Sequence, residues 1–395
     1  METASCLTAG MSEKVFCNRL QNPLRGSEER SCDADKGKLD RNVPPSISAH
    51  PAPGRLPARA SLCPPARRTT RPCRLRKGDD AVKLACCWLY AISRYGYPPS
   101  LEDTFTAIRR MHDLGFEAIE LEGVRRDNLL HVAEHRHEIR ALCDDLGLTI
   151  INFCPILPDI VNPDGRARRD ALDLFRLGVE IARDFGCATV QTDSYTPPLR
   201  FLGAQPYGSA IEFGTQFQVQ VDPAFDWDRL WGTLVESIRS CLELMDGSGM
   251  MLTLEPRVGE LVANTDALLR LMGAVDSPIF GAVLDAAHLH AQKEILPLSV
   301  EKLGTRIQFV HAADNDGRDN VHLAPGRGTV DWAGVLVALR KHGYDGYIGL
   351  DVGHVPDLDA QYLEGAAFLA DVGRKVGVQI DWPGTALVSG GGTRP

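Results

Sequence analysis

Four short apolar segments in the second half of the chain each end in a side chain that can bind a divalent metal ion. Each is a β-prone run followed by a carboxylate or an imidazole, and the four are Met251–Glu255, Gly281–Asp285, Ile307–His311 and Tyr347–Asp351. Their ends are roughly thirty to forty residues apart, the length of one strand plus one helix. Because the C-terminal ends of parallel barrel strands meet at one mouth, we expect these side chains to converge there. Such an oxygen-rich site favours Mn²⁺ or Mg²⁺ over metals that prefer thiolate.

Two histidines and two glutamates extend this candidate site. His288 follows Asp285 by three residues, so both side chains can face the mouth. His322 precedes a tight glycine-rich turn, which leaves open whether it lines the site or structures the turn. Glu120 and Glu122 flank the end of the second predicted strand, where one of them is expected to point inward to a substrate.

A regular alternation of strand-like and helical segments positions these residues. The four earlier strands are predicted at 83–90, 118–121, 149–153 and 188–192. Helical spacing predicts helices at 101–114, 129–146, 170–185, 227–245, 267–272, 332–341 and 360–376, with Ser100 and Asp331 as N-caps. Eight strands alternating with helices predict an α/β fold, a (β/α)₈ TIM barrel. The rival fold, a doubly wound open sheet, would carry a glycine-rich turn after its first strand, and residues 94–99 (RYGYPP) are not such a turn.

Charge divides the chain of 395 residues into two parts. Residues 1–78 contain 15 lysines and arginines against 7 aspartates and glutamates, whereas the whole chain has a net charge of −9. Their proline- and arginine-rich composition lacks periodicity and predicts a disordered basic extension. We predict a catalytic domain at 79–380 and a flexible tail at 381–395. The acidic domain argues against nucleic acid as a partner and is compatible with a cation and a small polar substrate.

The composition also bears on the compartment. No apolar run approaches the ~20 residues that a membrane span requires. The eleven cysteines are scattered, and four of them are predicted to be buried thiols: Cys143, Cys154, Cys187 and Cys241. Since no spacing suggests a disulfide framework, we predict a cytoplasmic protein without a membrane partner.

The late motifs resemble those of the sugar phosphate isomerase/epimerase superfamily, the xylose isomerase-like TIM barrels. The resemblance runs from about residue 82 to residue 376 and is strongest after residue 251. It rests on Asp285-Ala-Ala-His288, on the segment 311–316 (HAADND) and on the four strand-end ligands. The superfamily includes ketose 3-epimerases, hydroxypyruvate isomerases, inosose dehydratases and apurinic endonucleases, often as dimers or tetramers. A homo-oligomer is therefore compatible with the sequence.

The resemblance implies a role for each candidate residue. The implied metal ligands are Glu255, Asp285, His311 and Asp351. Mn²⁺ is the preferred ion, with Mg²⁺, Co²⁺ and Zn²⁺ as alternatives. The implied catalytic residues are Glu255, Asp351 and His288. Arg318, one residue later than in the family pattern, is an implied substrate contact, and it joins Glu120, Glu122 and His322 as candidates for substrate binding.

Two departures from the family patterns shape the predicted function. Asp351 stands where ketose 3-epimerases have a glutamate, and its shorter side chain withdraws the carboxylate from a substrate carbon. The endonuclease branch needs further histidines and an aspartate at places that hold residues such as Asn152 and Asn320 here. We predict a metal-dependent isomerase or epimerase that acts on a small sugar, keto-sugar or cyclitol through proton abstraction and an enediolate. A dehydratase-type lyase is the alternative, and an apurinic endonuclease has less support.

Overall fold

The computed structural model describes residues 81–203, 206 and 217–382. The predicted extension at 1–78 lies outside the described residues, as does most of the predicted tail at 381–395. The first two residues of that tail are described. Asp381 belongs to a strand, and Trp382 is buried.

Eight parallel strands close into a barrel. They are β1 (Val82–Cys86), β2 (Ala118–Val124), β3 (Thr149–Ile156), β4 (Thr189–Thr192), β7 (Met251–Leu254), β8 (Phe280–Asp285), β9 (Ile307–Ala312) and β10 (Tyr347–Leu350). Each pairs with the next, and β10 pairs with β1 to complete the ring. Two two-residue strands, β5 (Arg200–Phe201) and β6 (Val219–Gln220), form an antiparallel pair, and β11 (Ile380–Asp381) pairs with β1. The prediction of a (β/α)₈ TIM barrel is confirmed.

Helices follow the strands and pack around the barrel. They are α1 (Leu89–Tyr95), α2 (Leu101–Asp113), α3 (Arg125–Leu146), α4 (Gly165–Phe185), α5 (Trp227–Leu244), α6 (Thr265–Val275), α7 (Ala286–Ala291), α8 (Leu296–Leu303), α9 (Trp332–Lys341) and α10 (Leu358–Val376). Short 3₁₀ turns lie at Pro158–Val161 and Gly304–Arg306. The seven predicted helices are all present, whereas α1, α7 and α8 have no counterpart in the prediction.

The predicted first strand at 83–90 is wrong in its second half. The strand ends at Cys86, and Leu89 begins α1. Trp88, Leu89 and Tyr90 are buried in the helical turn as fully as they would be in a strand. A short apolar run does not distinguish the two states, so periodicity could not locate this boundary.

Capping residues fix several helix ends as predicted. The Ser100 side chain accepts a hydrogen bond from the Asp103 backbone N–H at 3.1 Å, and Asp331 caps α9 through the Gly334 N–H at 2.9 Å. A side-chain oxygen at the N-cap satisfies a donor that the helix leaves unpaired. Gly147 ends α3 with a φ of 70°, in the left-handed region that glycine tolerates.

Apolar side chains fill the space between the barrel and its helices. The four cysteines that were predicted to be buried are buried free thiols. Among the residues that the structure describes, no helix combines the length and the apolar character that crossing a membrane requires. The cytoplasmic location and the homo-oligomeric state stay predictions.

Candidate active site

A pocket at the C-terminal ends of the barrel strands collects most of the predicted site residues. Its lining consists of Leu89, Ile92, Glu120, Glu122, Ile156, Gln191, Glu255, Arg257, His288, His311, His322 and Asp351. The strand register brings the ligands together, because Asp285 and His311 are paired residues on β8 and β9. Glu255 directly follows β7, and Asp351 directly follows β10.

Three of the four predicted metal ligands form one tight cluster. The ligand atoms of Glu255, Asp285 and His311 all lie within 4.8 Å of one another. His311 Nδ1 is 3.2 Å from Glu255 Oε1 and 3.8 Å from Asp285 Oδ2. Asp285 is completely buried, and its Oδ2 has no hydrogen-bond partner among the described residues. Since an unpaired buried carboxylate oxygen is costly, the donor set fits a divalent cation with oxygen and imidazole ligands.

The fourth predicted ligand, Asp351, lies beside this cluster. It shares a second group with His311 and Cys87, again with ligand atoms within 4.8 Å. Asp351 Oδ2 is also 3.0 Å from His322 Nδ1. Burial raises the pKa of the Cys87 thiol well above its ordinary value, which keeps it protonated and a poor ligand. Whether Asp351 completes the metal site stays a prediction.

The carboxyl groups of the cluster have pKa values that are shifted in opposite directions. Burial opposes ionisation of Glu255, but the nearby His311, Arg257 and His288 outweigh it and hold its pKa well below the ordinary value. Asp285 is different, because burial and the charges of Glu255 and Asp351 outweigh the histidines and raise its pKa to about 8. Two carboxyls in one cluster thus favour opposite protonation states, an arrangement typical of functional sites.

Five side chains form a closed ring of hydrogen bonds across the barrel, here called the polar ring: Glu120, Asn152, Gln191, Glu255 and His311. Asn152 donates to Glu120 Oε2 at 2.8 Å and to Gln191 Oε1 at 3.0 Å. Gln191 in turn donates to Glu255 Oε2 at 3.0 Å. The two nitrogens of His311 close the ring, since Nδ1 faces Glu255 and Nε2 lies 3.2 Å from Glu120 Oε2.

The prediction did not include Asn152 and Gln191 among the site residues. Asn152 interrupts a strand that is otherwise mostly apolar, and Gln191 lies in a short strand whose four residues are all buried. Strands buried on both faces normally read as continuous hydrophobic runs. An amide in the middle of such a strand was therefore a usable signal of an inward-facing polar site.

His288 and His322 form the opposite wall of the pocket, with ring centroids 5.0 Å apart. The Asp285 carboxylate accepts a hydrogen bond from the His288 backbone N–H at 2.6 Å, which fixes the first turn of α7. Burial lowers the pKa of His288 well below its ordinary value, so the ring is neutral and can both donate and accept. His322 Nδ1 also lies 2.9 Å from the Asp351 backbone oxygen. Both predicted histidines therefore lie at the mouth.

A second buried network connects the loops after β4 and β7. Arg257 pairs with Asp193 at 2.5 Å, lies 3.8 Å from Glu260 and lies 4.0 Å from Glu255 Oε2. Glu260 Oε2 accepts hydrogen bonds from the backbone and hydroxyl of Ser194 and from the backbone of Tyr195. Arg257 was not predicted, although a cation two residues after a strand-end carboxylate is a visible pattern.

The remaining predicted contacts divide between the pocket and the surface. Glu120 and Glu122 both line the pocket, and Glu122 Oε2 is buried without a hydrogen-bond partner among the described residues. Burial, together with Glu120, raises the pKa of Glu122 well above its ordinary value. Arg318 is exposed on the loop after β9, where its backbone N–H donates to Asp316. It is not among the residues that line the pocket, and its substrate contact stays a prediction.

Comparison with known proteins places this geometry in context. A family model described as a xylose isomerase-like TIM barrel matches residues 108–372. The chain is similar to a fructoselysine 3-epimerase of Shigella flexneri, with 24% identity over 255 residues that cover 61% of this chain and 82% of that protein. It is also similar to an inosose dehydratase of Clostridium perfringens, with 24% identity over 160 residues, or 35% of this chain and 54% of that protein.

Solved structures show the same architecture. The 3-keto-D-glucoside 4-epimerase of E. coli superimposes with a TM-score of 0.58 and 18% identity, covering 73% of this chain and 99% of that one. The matching family model spans seven of the eight barrel strands and every predicted site residue. The chain therefore belongs to the xylose isomerase-like TIM barrel family.

Proposed function

We propose that this protein is a divalent-metal-dependent isomerase or epimerase of a small sugar, keto-sugar or cyclitol. The observation that carries the proposal is the buried cluster of Glu255, Asp285 and His311, of which Glu255 and His311 line a pocket that also holds two histidines and three further carboxyls. The similarity to a fructoselysine 3-epimerase supports a sugar derivative as the substrate. Mn²⁺ is the preferred ion for this donor set, with Mg²⁺, Co²⁺ or Zn²⁺ as alternatives.

Glu255 is the base in this proposal. Its carboxyl has a lowered pKa and is fixed by Gln191 on one oxygen and by His311 on the other. It would take the proton from the carbon next to a carbonyl. The C–H electron pair would form the C=C bond, and the π pair of the carbonyl would move onto its oxygen to give an enediolate. A bound divalent ion would supply positive charge for the substrate oxygens. Asp285, His311 and Glu255, with Asp351 beside them, are the residues that would hold it.

The opposite wall of the pocket suits the return of the proton. His288 is neutral and can donate a hydrogen bond to a developing oxyanion. Asp351 and its partner His322 line the same pocket and could deliver a proton to the enediolate from another position. Return of the proton to the other face of the same carbon gives an epimer, and return to the neighbouring carbon gives an isomer.

The charge of the pocket favours a substrate without phosphate. Four carboxyls line it, and its lining arginine, Arg257, is already paired with Asp193. A phosphate would meet several carboxyls, and the arginine of the lining is already committed to Asp193. The same argument weakens the endonuclease alternative, as does Asn152, whose amide donates both its hydrogens within the polar ring.

A dehydratase-type lyase is the second candidate, because the chain is also similar to an inosose dehydratase. Elimination begins with the same abstraction of a proton by Glu255. The two reactions then differ, because the enediolate expels a β-hydroxyl, which takes up the proton held by Glu255 and leaves as water, instead of taking that proton back at carbon. Asp351 favours this alternative, because its side chain is shorter than that of a glutamate and delivers a proton to the substrate carbon less well.

The test is proton exchange at the carbon next to the carbonyl. The protein, loaded with MnCl₂, is incubated in D₂O with a panel of unphosphorylated ketoses, keto-glycosides and inososes, and the products are followed by NMR. Deuterium at that carbon together with an epimer or isomer is the expected result. An unsaturated product would establish the lyase instead. No exchange with any member of the panel, in a protein that binds the metal, would contradict the proposal.

A further inference from the structure

The two ring nitrogens of His311 face two different carboxyl groups. Nδ1 lies 3.2 Å from Glu255 Oε1 and 3.8 Å from Asp285 Oδ2, so it faces the cluster that fits a metal ion. Nε2 points to the other side and lies 3.2 Å from Glu120 Oε2. A histidine that binds a metal through one nitrogen usually donates its other N–H to a carboxylate or carbonyl, which fixes the tautomer and raises the basicity of the ligand.

We propose that Glu120 is a positioning residue that orients His311 for metal binding, and that it is not the substrate contact that the sequence predicted. Glu120 accepts the Nε2–H of His311, so Nδ1, which faces Glu255 and Asp285, is the nitrogen that would bind a cation held by those two carboxyls. The inference rests on the metal site of the proposed function and adds a role for the β2 end of the barrel.

The polar ring fixes the Glu120 carboxylate in place. Glu120 is 3% exposed, and its Oε2 receives both the Asn152 amide at 2.8 Å and the imidazole of His311. The Asn152 oxygen accepts a hydrogen bond from the Thr189 hydroxyl at 2.7 Å, which satisfies the rest of that side chain. Glu120 Oε2 is thus committed to two protein groups.

The ring also has a defined direction. Glu120 is an acceptor when ionised, so Asn152 must turn its NH₂ toward it. Asn152 then uses its second hydrogen on the oxygen of Gln191, and Gln191 must turn its own NH₂ toward Glu255. A carboxylate at each end of the amide pair therefore excludes the flipped orientations. The two amides fix both carboxylates that contact His311.

Glu122, two residues along the same strand, has the opposite character. It lines the pocket, and its Oε2 has no hydrogen-bond partner among the described residues, so it is the carboxyl that remains for a substrate hydroxyl or amine. Glu122 is therefore a matched control for Glu120, because the two glutamates lie on the same strand and Glu120 contacts His311 whereas Glu122 does not.

The experiment compares Mn²⁺ affinity in metal-free wild type, Glu120→Gln and Glu122→Gln by isothermal titration with MnCl₂. Loss of a carboxylate partner of a ligating histidine typically weakens metal binding about 10–100-fold, and this is the expected result for Glu120→Gln. Glu122→Gln should keep the wild-type affinity within about twofold, because it leaves His311 and its partner untouched. Unfolding temperatures of the metal-free proteins separate a loss of affinity from a general loss of stability.

Equal Mn²⁺ affinity in Glu120→Gln and wild type, with a raised KM, would overturn the inference and return Glu120 to substrate binding. If Glu120→Gln does not fold, Glu120→Asp tests the same arrangement by withdrawing the carboxylate from His311 Nε2. Weaker Mn²⁺ binding in that variant would support the inference, and unchanged binding would overturn it. Absence of Mn²⁺ binding in the wild type would overturn the proposed metal site itself, an outcome distinct from failure of the Glu120 variant alone.

Discussion

The two sides of the barrel mouth hold their polar groups in different ways. On the side of β7 to β10, charged side chains contact each other directly: Glu255, Asp285, His311 and Asp351 with His322. On the side of β2 to β4, two neutral amides stand between the acids, and Asn152 and Gln191 carry hydrogen bonds from Glu120 to Glu255. The first side can bind a cation, whereas the amide pair of the second side can only hold the neighbouring carboxylates in place.

This difference indicates a division of labour. A carboxylate base needs a fixed direction, and hydrogen bonds from amides supply one without adding charge. Arg257 joins the two sides, because it pairs with Asp193 after β4 and lies 4.0 Å from Glu255 after β7. Substitutions on the charged side should therefore abolish the reaction, and substitutions on the amide side should weaken it.

The largest effect is expected for Glu255→Gln on the charged side. Glutamine keeps the shape but cannot accept a proton, and loss of a general base costs about 10²–10⁴-fold in rate. The measurement is the rate of deuterium exchange into a sugar that the wild type turns over. Glu102→Gln on the exposed first turn of α2 is the matched control. Exchange within about tenfold of the wild-type rate would assign the base to another residue.

A smaller effect is expected for Gln191→Leu on the amide side. The leucine leaves one Asn152 hydrogen and one Glu255 oxygen without their partners in a buried site, which costs about 1–3 kcal/mol of the free energy of unfolding. The exchange rate should fall by about tenfold, because Glu255 is still present but is less well fixed.

Urea denaturation at constant m-value measures the loss in Gln191→Leu, and Gln379→Leu at an exposed position is its control. A rate loss as large as that of Glu255→Gln would remove the distinction between the two sides, since Gln191 would then act in the reaction itself.

The charged side was predicted from the sequence, whereas the two amides of the other side were not. A carboxylate or a histidine at the end of an apolar run is rare enough to be noticed, and four in succession identified Glu255, Asp285, His311 and Asp351. Asn152 and Gln191 are neutral and lie inside their strands, not at a strand end. Both strands were predicted, β4 with its correct end at Thr192 and β3 three residues short of its end at Ile156. The role of the two amides depends on which strands are neighbours, which single-strand patterns do not contain.

Loop conformation explains the other differences. Arg257 reaches Asp193 only because the loops after β4 and β7 lie side by side, although 64 residues separate the two along the chain. Arg318 was predicted to contact the substrate because the family pattern has an arginine one residue earlier, but in the structure its side chain is exposed. The strand ends were predictable because barrel geometry fixes them, whereas each loop adopts a conformation of its own.

An effect on binding more than on rate is expected for Glu122→Gln. The buried Oε2 of Glu122 has no hydrogen-bond partner among the described residues, so we expect it to bind a hydroxyl or amine of the substrate. Loss of that hydrogen bond would weaken substrate binding by about 1–1.5 kcal/mol, which is roughly a tenfold rise in KM. Steady-state kinetics on the identified sugar measure the change. A fall in kcat with unchanged KM would instead make Glu122 part of the proton transfer.

The smallest effect on the reaction, but a distinct one on stability, is expected for Glu260→Gln in the network that joins the two sides. Burial and the neighbouring Asp193 raise the pKa of Glu260 to about 8, against an ordinary value of 4.5. One guanidinium, that of Arg257, serves both acids. Between those pH values the folded protein holds a proton that the unfolded chain has released. The free energy of unfolding should therefore fall as pH rises from about 4.5 to about 8.

Because glutamine does not titrate, Glu260→Gln should reduce that slope by up to one proton, or at most about 1.4 kcal/mol per pH unit. Urea denaturation of both proteins at a series of pH values from 5 to 8 measures the two slopes, and Glu102→Gln again serves as the control. Equal slopes would mean that Glu260 is ionised in the folded protein. Arg257 would then be shared by two ionised carboxylates, Asp193 and Glu260, and would attract Glu255 less. The orientation of the Glu255 carboxylate would in that case depend on the hydrogen bonds of the amide side alone.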